Sequence, residues 1–364
     1  MSGEEVVQGR YRRGLRFAVI AAAITAVVAV RLVADVFDRP DPRETAPARV
    51  TSRSEPSPTP VTLGGRLVYV TDDRDAGGQR LYFLDVPTGI LREGPALSEV
   101  DAMVTAGPRG DWLVLVVIDG DEEVARLLLN RLLEPIDVAR GDLVSVSSNR
   151  QALLIARTEA DNPAGCPDPS YELERVILVD SRHRPALPVP LPCGRLLSAV
   201  LYSPGVIVAS VSEGGAAPRM HVLRPGVSER VLSGRVLDSS GRFLFLERGG
   251  QLLVWPGGGT PRAVVTGSIT RGRIVATSQG GRYVAVDGRV DAVRGLWMVD
   301  AAAGTVRRLD VASVGRLVAA AFDDRGVLYV VGAAGITAFD GSTPLPVHPP
   351  PDAPPPNGPA AWLP

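Results

Sequence analysis

The sequence predicts an all-β protein: a seven-bladed β-propeller of four-stranded antiparallel blades, preceded by one N-terminal transmembrane helix. Three observations support this fold class. An apolar run follows a group of arginines near the N-terminus. Between residues 61 and 348, a polar or glycine-containing turn leads into a short β-rich strand seven times. The spacing of these turns stays close to the length of a propeller blade.

The overall composition is that of a globular protein. The 364 residues are 45% hydrophobic and 22% charged, which is enough for one large domain. A formal net charge of −1 excludes a global basic field of the kind that holds nucleic acid, so no nucleic-acid partner is expected. The chain has arginine but no lysine, together with abundant Ala, Gly, Pro and Val. This bias is typical of a GC-rich genome such as that of an actinobacterium.

The first apolar segment predicts a membrane anchor over residues 17–37. Residues 17–30 form an uncharged run of fourteen, shorter than the about 20 residues that usually span a bilayer, and apolar residues extend it past Arg31. Arg31 lies near the far end, where its side chain can reach the headgroups. A cleaved signal peptide and a soluble core helix are the alternatives. The residues assigned to the anchor are Phe17, Ile20, Ile24 and Val28.

Four arginines fix the expected orientation of this anchor. They are Arg10, Arg12, Arg13 and Arg16, all on the N-terminal side of the apolar run. Because positive residues stay cytoplasmic, residues 1–16 are predicted to be a short cytoplasmic tail and the rest of the chain to lie outside the cell membrane. Residues 38–60 are rich in proline and predict a disordered stalk between membrane and propeller.

The repeat that predicts the propeller occupies residues 61–348. Its turns begin at Leu63, Gly107, Ser147, Ser203, Ser239, Ser278 and Asp323, with intervals of 44, 40, 56, 36, 39 and 45 residues. Propeller blades recur at about 40–50 residues, whereas a pair of β-sandwiches, the alternative fold, has no constant period. The longest interval indicates a blade with an inserted loop. The first blade lacks an evident innermost strand, which residues 61–63 or residues 360–363 of the proline-rich C-terminal tail (349–364) could supply.

Three of the turns resemble those of a known group of propellers. Residues 203–205 read Ser-Pro-Gly, residues 239–242 Ser-Ser-Gly-Arg and residues 323–326 Asp-Asp-Arg-Gly. They look like degenerate forms of the Ser-Pro-Asp-Gly turn of TolB-like and WD40-like propellers. The resemblance covers residues 63–348 and implies the propeller fold. The Trp-Asp dipeptide of true WD40 repeats is missing, so the partners of that subfamily are not implied.

Two cysteines, Cys166 and Cys193, lie in the longest repeat interval. If the domain is outside the membrane, they are in an oxidising compartment, and we expect a disulfide rather than two free thiols. Acidic residues form two turns, with Asp73 and Asp75 in the first and Asp119 and Asp121 in the second. These four are weak candidates for a calcium site, but solvated hairpin loops are the favoured interpretation, and no metal or cofactor is predicted.

Linear motifs for catalysis are missing. The chain has no His-Glu-x-x-His, Gly-x-Ser-x-Gly, Walker or Rossmann pattern. We therefore predict a non-enzymatic binding or scaffold propeller at the cell envelope that presents its rim or funnel to a protein partner. The alternative is an extracytoplasmic hydrolase or lyase with charged residues in the central funnel, because propellers host such sites without a linear motif. The two hypotheses differ in whether charged side chains converge in the funnel.

Overall fold

The computed structural model describes residues 63–364 apart from short segments. Those segments are residues 74–76, 107–111, 120–121, 130–131, 148–149, 159–165, 167, 169, 180–181, 186–188, 204, 225–228, 242, 257–259 and 265–268. The predicted cytoplasmic tail, transmembrane anchor and stalk lie outside the described residues. Within the described part of the chain, no helix is long and apolar enough to cross a membrane.

Seven antiparallel sheets form the propeller predicted from the repeat, and each has a path of four hydrogen-bonded strands. Blade 1 contains β1 (Arg66–Asp73), β2 (Gly78–Asp85), β3 (Ile90–Leu97) and β29 (Ala360–Leu363). Blade 2 contains β4 (Val100–Ala106), β5 (Trp112–Asp119), β6 (Glu122–Leu129) and β7 (Leu132–Arg140). Blade 3 contains β8 (Asp142–Val146), β9 (Ala152–Thr158), β10 (Tyr171–Val179), β11 (Arg182–Pro185) and a short β12 (Val189–Pro190). Blade 4 contains β13 (Arg195–Ser203), β14 (Val206–Ser212), β15 (Arg219–Leu223) and β16 (Arg230–Ser233). Blade 5 contains β17 (Arg235–Ser240), β18 (Phe243–Arg248), β19 (Gln251–Trp255) and β20 (Arg262–Ala263). Blade 6 contains β21 (Ile269–Thr277), β22 (Tyr283–Val290), β23 (Val293–Asp300) and β24 (Thr305–Arg308). Blade 7 contains β25 (Leu317–Phe322), β26 (Leu328–Gly332), β27 (Gly335–Asp340) and β28 (Thr343–Pro346), and a 3-10 turn (Ala312–Val314) precedes it.

The second strand of each blade is the most deeply buried, and this explains its sequence. Residues 67–70 of β1, 113–117 of β5 and 328–332 of β26 are buried without interruption. Such a strand has a neighbouring blade on each of its faces, so both sets of alternating side chains leave water and the sequence reads as a continuous apolar run. Side chains of adjacent blades form the core, as where Phe245 of blade 5 packs in one cluster with Val286 of blade 6.

The ring closes through its C-terminal strand. β29 pairs antiparallel with β1, with Leu363 opposite Arg66 and Trp362 opposite Leu67. Of the two sequence-based alternatives for the innermost strand of blade 1, the structure therefore uses residues 360–363. The Trp362 ring stacks on the Tyr329 ring of blade 7, with centroids 4.6 Å apart, so the closing strand also joins the first blade to the last.

A proline-rich strap, residues 347–359, connects β28 to β29. Its Asn357 and Gly358 N–H groups donate to the Val70 carbonyl at 3.1 and 3.3 Å, and the Thr71 hydroxyl donates to the Pro355 carbonyl at 3.0 Å. The repeat pattern predicts that the propeller ends at residue 348 and that residues 349–364 form a tail. The strap and β29 instead continue the folded chain along blade 1 and into its inner edge.

Blade 3 is enlarged, as the long repeat interval predicts. β12 pairs with β10 on the same edge as β11. Cys166 and Cys193 form a disulfide with their Cα atoms 5.6 Å apart. Near Cys166, the Asp168 carboxylate accepts a 2.7 Å hydrogen bond from the Gly214 N–H in the turn between β14 and β15. The insertion is thus covalently closed within blade 3 and hydrogen-bonded to blade 4.

Candidate functional site

The axis of the ring contains a cavity of about 340 Å³. Its walls come mostly from the second halves of the inner strands β4, β8, β17, β21 and β25, together with β29 and the turns after β8 and β21. Alanines at positions 276, 320, 321, 360 and 361 keep much of the wall free of bulk. The space at the axis therefore results from small side chains on the strands that converge there.

Hydroxyl groups provide most of the polarity of this axial cavity. They belong to Thr105, Ser145, Ser147, Ser239, Ser240 and Thr277. Several have partners inside the protein, since Ser240 Oγ donates to the Gln279 carbonyl at 3.0 Å and Ser147 Oγ accepts from the Ala152 N–H at 2.9 Å. Ser239 Oγ is buried and has no hydrogen-bond partner among the described residues, although Ser239 lines the cavity. This hydroxyl is thus a buried polar group of the wall that lacks a hydrogen bond among the described residues.

Asp238, the fourth of the six residues of β17, is a half-buried acid in the cavity wall. Its carboxylate accepts hydrogen bonds from the Ser239 N–H at 2.7 Å and from the Thr277 hydroxyl of the neighbouring blade. Burial raises the pKa of Asp238 by more than these two hydrogen bonds lower it. Acids with a raised pKa in a cleft occur preferentially at functional sites.

Arg150 supplies the positive charge of the cavity from the turn between β8 and β9. Its backbone has φ of 58°, in the left-handed region that disfavours a side chain. Arg150 lines the cavity and is partly buried. Burial lowers the pKa of its guanidinium, and the charge of the Asp324 carboxylate of blade 7 raises that pKa by a smaller amount. Asp238 and Arg150 are the only ionisable residues among the described lining residues.

The acidic turns proposed from the sequence do not converge at this cavity in the described part of the chain. Asp73 Oδ2 pairs with Arg80, whose Nε donates to it at 2.8 Å across the hairpin of blade 1. Asp119 ends β5. Asp75 and Asp121 lie outside the described residues. The structure gathers no metal-binding group of His, Cys, Asp or Glu among the residues that it describes.

Acidic residues instead gather near the start of blade 3. Asp101 of β4, Glu123 of β6 and Asp142 of β8 repel one another electrostatically. Burial first, and then the charge of Asp101, raises the pKa of Asp142. Burial, followed by the charges of Asp142 and Asp101, raises the pKa of Glu123 in the same way.

This acidic group is expected to make the fold less stable as the pH rises. Because the pKa of Asp142 is higher in the folded than in the unfolded state, the unfolded chain releases its proton first. The free energy of unfolding should therefore fall as the pH rises above about the ordinary Asp value of 3.8 and level off above the raised folded value. Asp142→Asn should stabilise the protein at pH 7 by about 0.5 kcal/mol, and not at pH 3, in denaturant titrations. Glu213→Gln in an exposed turn is the control, and an equal gain at both pH values would contradict this explanation.

Asp238 and Arg150 were not among the residues predicted from the sequence. Asp238 has a local signal, because a carboxylate follows two apolar residues in the middle of β17. Arg150 also has one, because the corresponding turn positions in blades 6 and 7 are Gly281 and Gly326. Neither signal reveals that residues in blades 3 and 5 face the same cavity, since that follows only from ring closure.

The fold and its axial cavity place the chain in the structural class of seven-bladed β-propellers. No protein-family model and no curated protein sequence matches it. Solved structures do match. The propeller domain of the trilobed protease from Pyrococcus furiosus, described as having an open velcro topology, matches at a TM-score of 0.54 with 12% identity over 78% of this chain and 92% of that domain. In the present chain, β29 completes the first blade.

Two further solved structures also match this chain. The periplasmic gluconolactonase of Pseudomonas aeruginosa matches at a TM-score of 0.50 with 18% identity over 82% of this chain and 99% of that one. TolB from Acinetobacter baumannii matches at 0.45 with 13% identity over 84% of this chain and 68% of that one. The chain spans about half the length of the acylaminoacyl peptidases that it also matches. At these identities, the likeness to the structures with TM-scores of 0.50 or more establishes the propeller fold alone.

Proposed function

We propose that this protein is a membrane-tethered, extracytoplasmic binding module whose propeller presents the axial cavity and its rim to a protein partner. The observation that carries the proposal is the lining of the cavity. It offers hydroxyl groups, one acid and one guanidinium on an otherwise small and apolar wall. Such a combination provides shape and a few directional polar contacts, which is how concave sites recognise ligands.

The proposed location rests on separate features. The arginines before residue 17 and the apolar run after them support an anchored, outward-facing domain. The disulfide of blade 3 is consistent with an oxidising compartment. The proline-rich residues 38–60 would then hold the propeller away from the membrane, where its rim is accessible.

Photo-crosslinking from the rim tests the proposal. A photoreactive amino acid at Gln279, which is exposed and lines the cavity, should give a discrete protein adduct in membranes containing the full-length chain. The matched control is the same amino acid at Ile90, which is 51% exposed on an outer strand of blade 1. Equal labelling at both positions, or none at Gln279, would contradict recognition through the cavity.

Asp238 favours a second candidate, an extracytoplasmic hydrolase or lyase with its site in the same cavity. A carboxyl whose pKa is raised by burial is suited to act as a general acid. Asp238→Asn tests the second candidate. It keeps the shape of the side chain but removes the proton that a general acid donates, so an enzyme should lose its turnover.

A further inference from the structure

We propose that Arg150 is an anion-recognition residue and that the molecule bound in the axial cavity presents a carboxylate to it. This inference rests on the proposed binding function and adds the chemical class of the ligand. It is drawn from two features of the cavity: the backbone of Arg150 and the surroundings of its guanidinium.

The backbone of Arg150 occupies a position that glycine takes elsewhere in the ring. In blade 3, the Arg150 N–H donates to the Ser147 carbonyl at 2.7 Å. The same hydrogen bond joins Gly281 to Ser278 at 2.8 Å in blade 6 and Gly326 to Asp323 at 3.3 Å in blade 7. All three residues have positive φ, which glycine adopts without steric cost and arginine does not. Blade 3 therefore holds a strained residue where glycine would fit, and such strain concentrates at functional sites.

The side chain provides a reason to keep that residue. The guanidinium of Arg150 is partly buried in the cavity wall and has lost part of its hydration, which makes an anionic partner favourable. A carboxylate suits a guanidinium because two parallel hydrogen bonds can form between them. Asp324, exposed in the turn of blade 7, acts electrostatically on the same guanidinium and would compete with a bound anion.

The size of the cavity limits the ligand. At about 340 Å³, the cavity has room for a small carboxylic acid or the end of an acidic chain.

Calorimetry with succinate, and with succinamide as the uncharged probe of the same skeleton, tests the inference on the full-length chain in detergent. We expect succinate to bind and succinamide to bind at least about 10-fold more weakly. Arg150→Gly should weaken succinate binding about 10-fold or more while leaving the melting temperature unchanged or higher, because the turn is relieved of strain. Arg150→Lys should have an intermediate effect, since it keeps the charge but not the planar fork. Asp324→Asn should tighten binding several-fold by removing the competing acid.

These outcomes separate the inference from the proposed function. Equal binding of the two probes, no heat with succinate, or full binding by a folded Arg150→Gly variant would each overturn the assignment of Arg150. A Gln279 adduct that persists in the Arg150→Gly variant would show that partner recognition stands without the anion site. Loss of succinate binding together with a raised melting temperature would support the inference, because a purely structural arginine does not produce that combination.

Discussion

A chain that ends at residue 359 is expected to lose most of its thermal stability. The four residues of β29 are all buried, and they provide the inner strand of blade 1. Without them, the inner edge of β1 and the Tyr329 ring become exposed to water. Replacing a buried Trp by Ala alone costs about 3–5 kcal/mol, so Trp362→Ala should remove a large part of a stability that is typically about 5–15 kcal/mol. Thermal unfolding followed by circular dichroism measures both variants.

Two further variants isolate the role of the closing strand. Removal of Pro364 alone, which is exposed, should leave the melting temperature unchanged. Gly65 has φ of 72°, and a Cβ there would lie 2.1 Å from the Trp362 ring, so Gly65→Ala should destabilise the fold by displacing that ring. A truncated chain that melts with the full-length protein would show that β29 does not hold the ring together.

Loss of the disulfide is expected to have the second largest effect. Cys166 and Cys193 are 27 residues apart, and closing a loop of that size stabilises a fold by about 3.5 kcal/mol on the loop-entropy estimate. Changing both cysteines to serine should lower the free energy of unfolding by about that amount. It should also weaken the hydrogen bond from the Gly214 N–H to the Asp168 carboxylate, because the segment that carries Asp168 is no longer held by the disulfide. Denaturant titration provides the value.

Reductant and alkylation complete this test. A thiol reductant should lower the melting temperature of the native chain and leave that of the double serine variant unchanged. Mass spectrometry of the unreduced protein should find neither cysteine alkylated. Two alkylatable thiols before reduction would contradict the disulfide.

The sequence predicted those parts of the fold whose signals are local. The second strand of every blade was located because apolar runs such as that of β14 are buried on both faces and follow a turn. The inner strands were not located individually, because they line the axis and mix apolar with polar side chains, as in β17. The closing strand was one of two alternatives, and the sequence left the choice between them open.

The axial site was not predicted from the sequence, and the reason is geometric. Local acid density drew attention to Asp73 and Asp119, both in the hairpins of single blades. Arg150 and Asp238 belong to different blades and carry no shared motif, so their common cavity depends on how the ring closes. The pairing of Cys166 with Cys193 was predictable because only two cysteines exist and both lie in the same repeat interval.

The position of β29 in the chain has a consequence for the order of synthesis. Every other strand of the ring is made before residues 360–363, yet those residues form the inner edge of the first blade. A nascent chain therefore carries an open ring, with the backbone N–H and C=O groups on one edge of β1 unpaired, until synthesis has passed Leu363. An open strand edge invites pairing with other chains during biogenesis. Because β29 follows the seventh blade in the chain, only a propeller translated through residue 363 can complete its first blade.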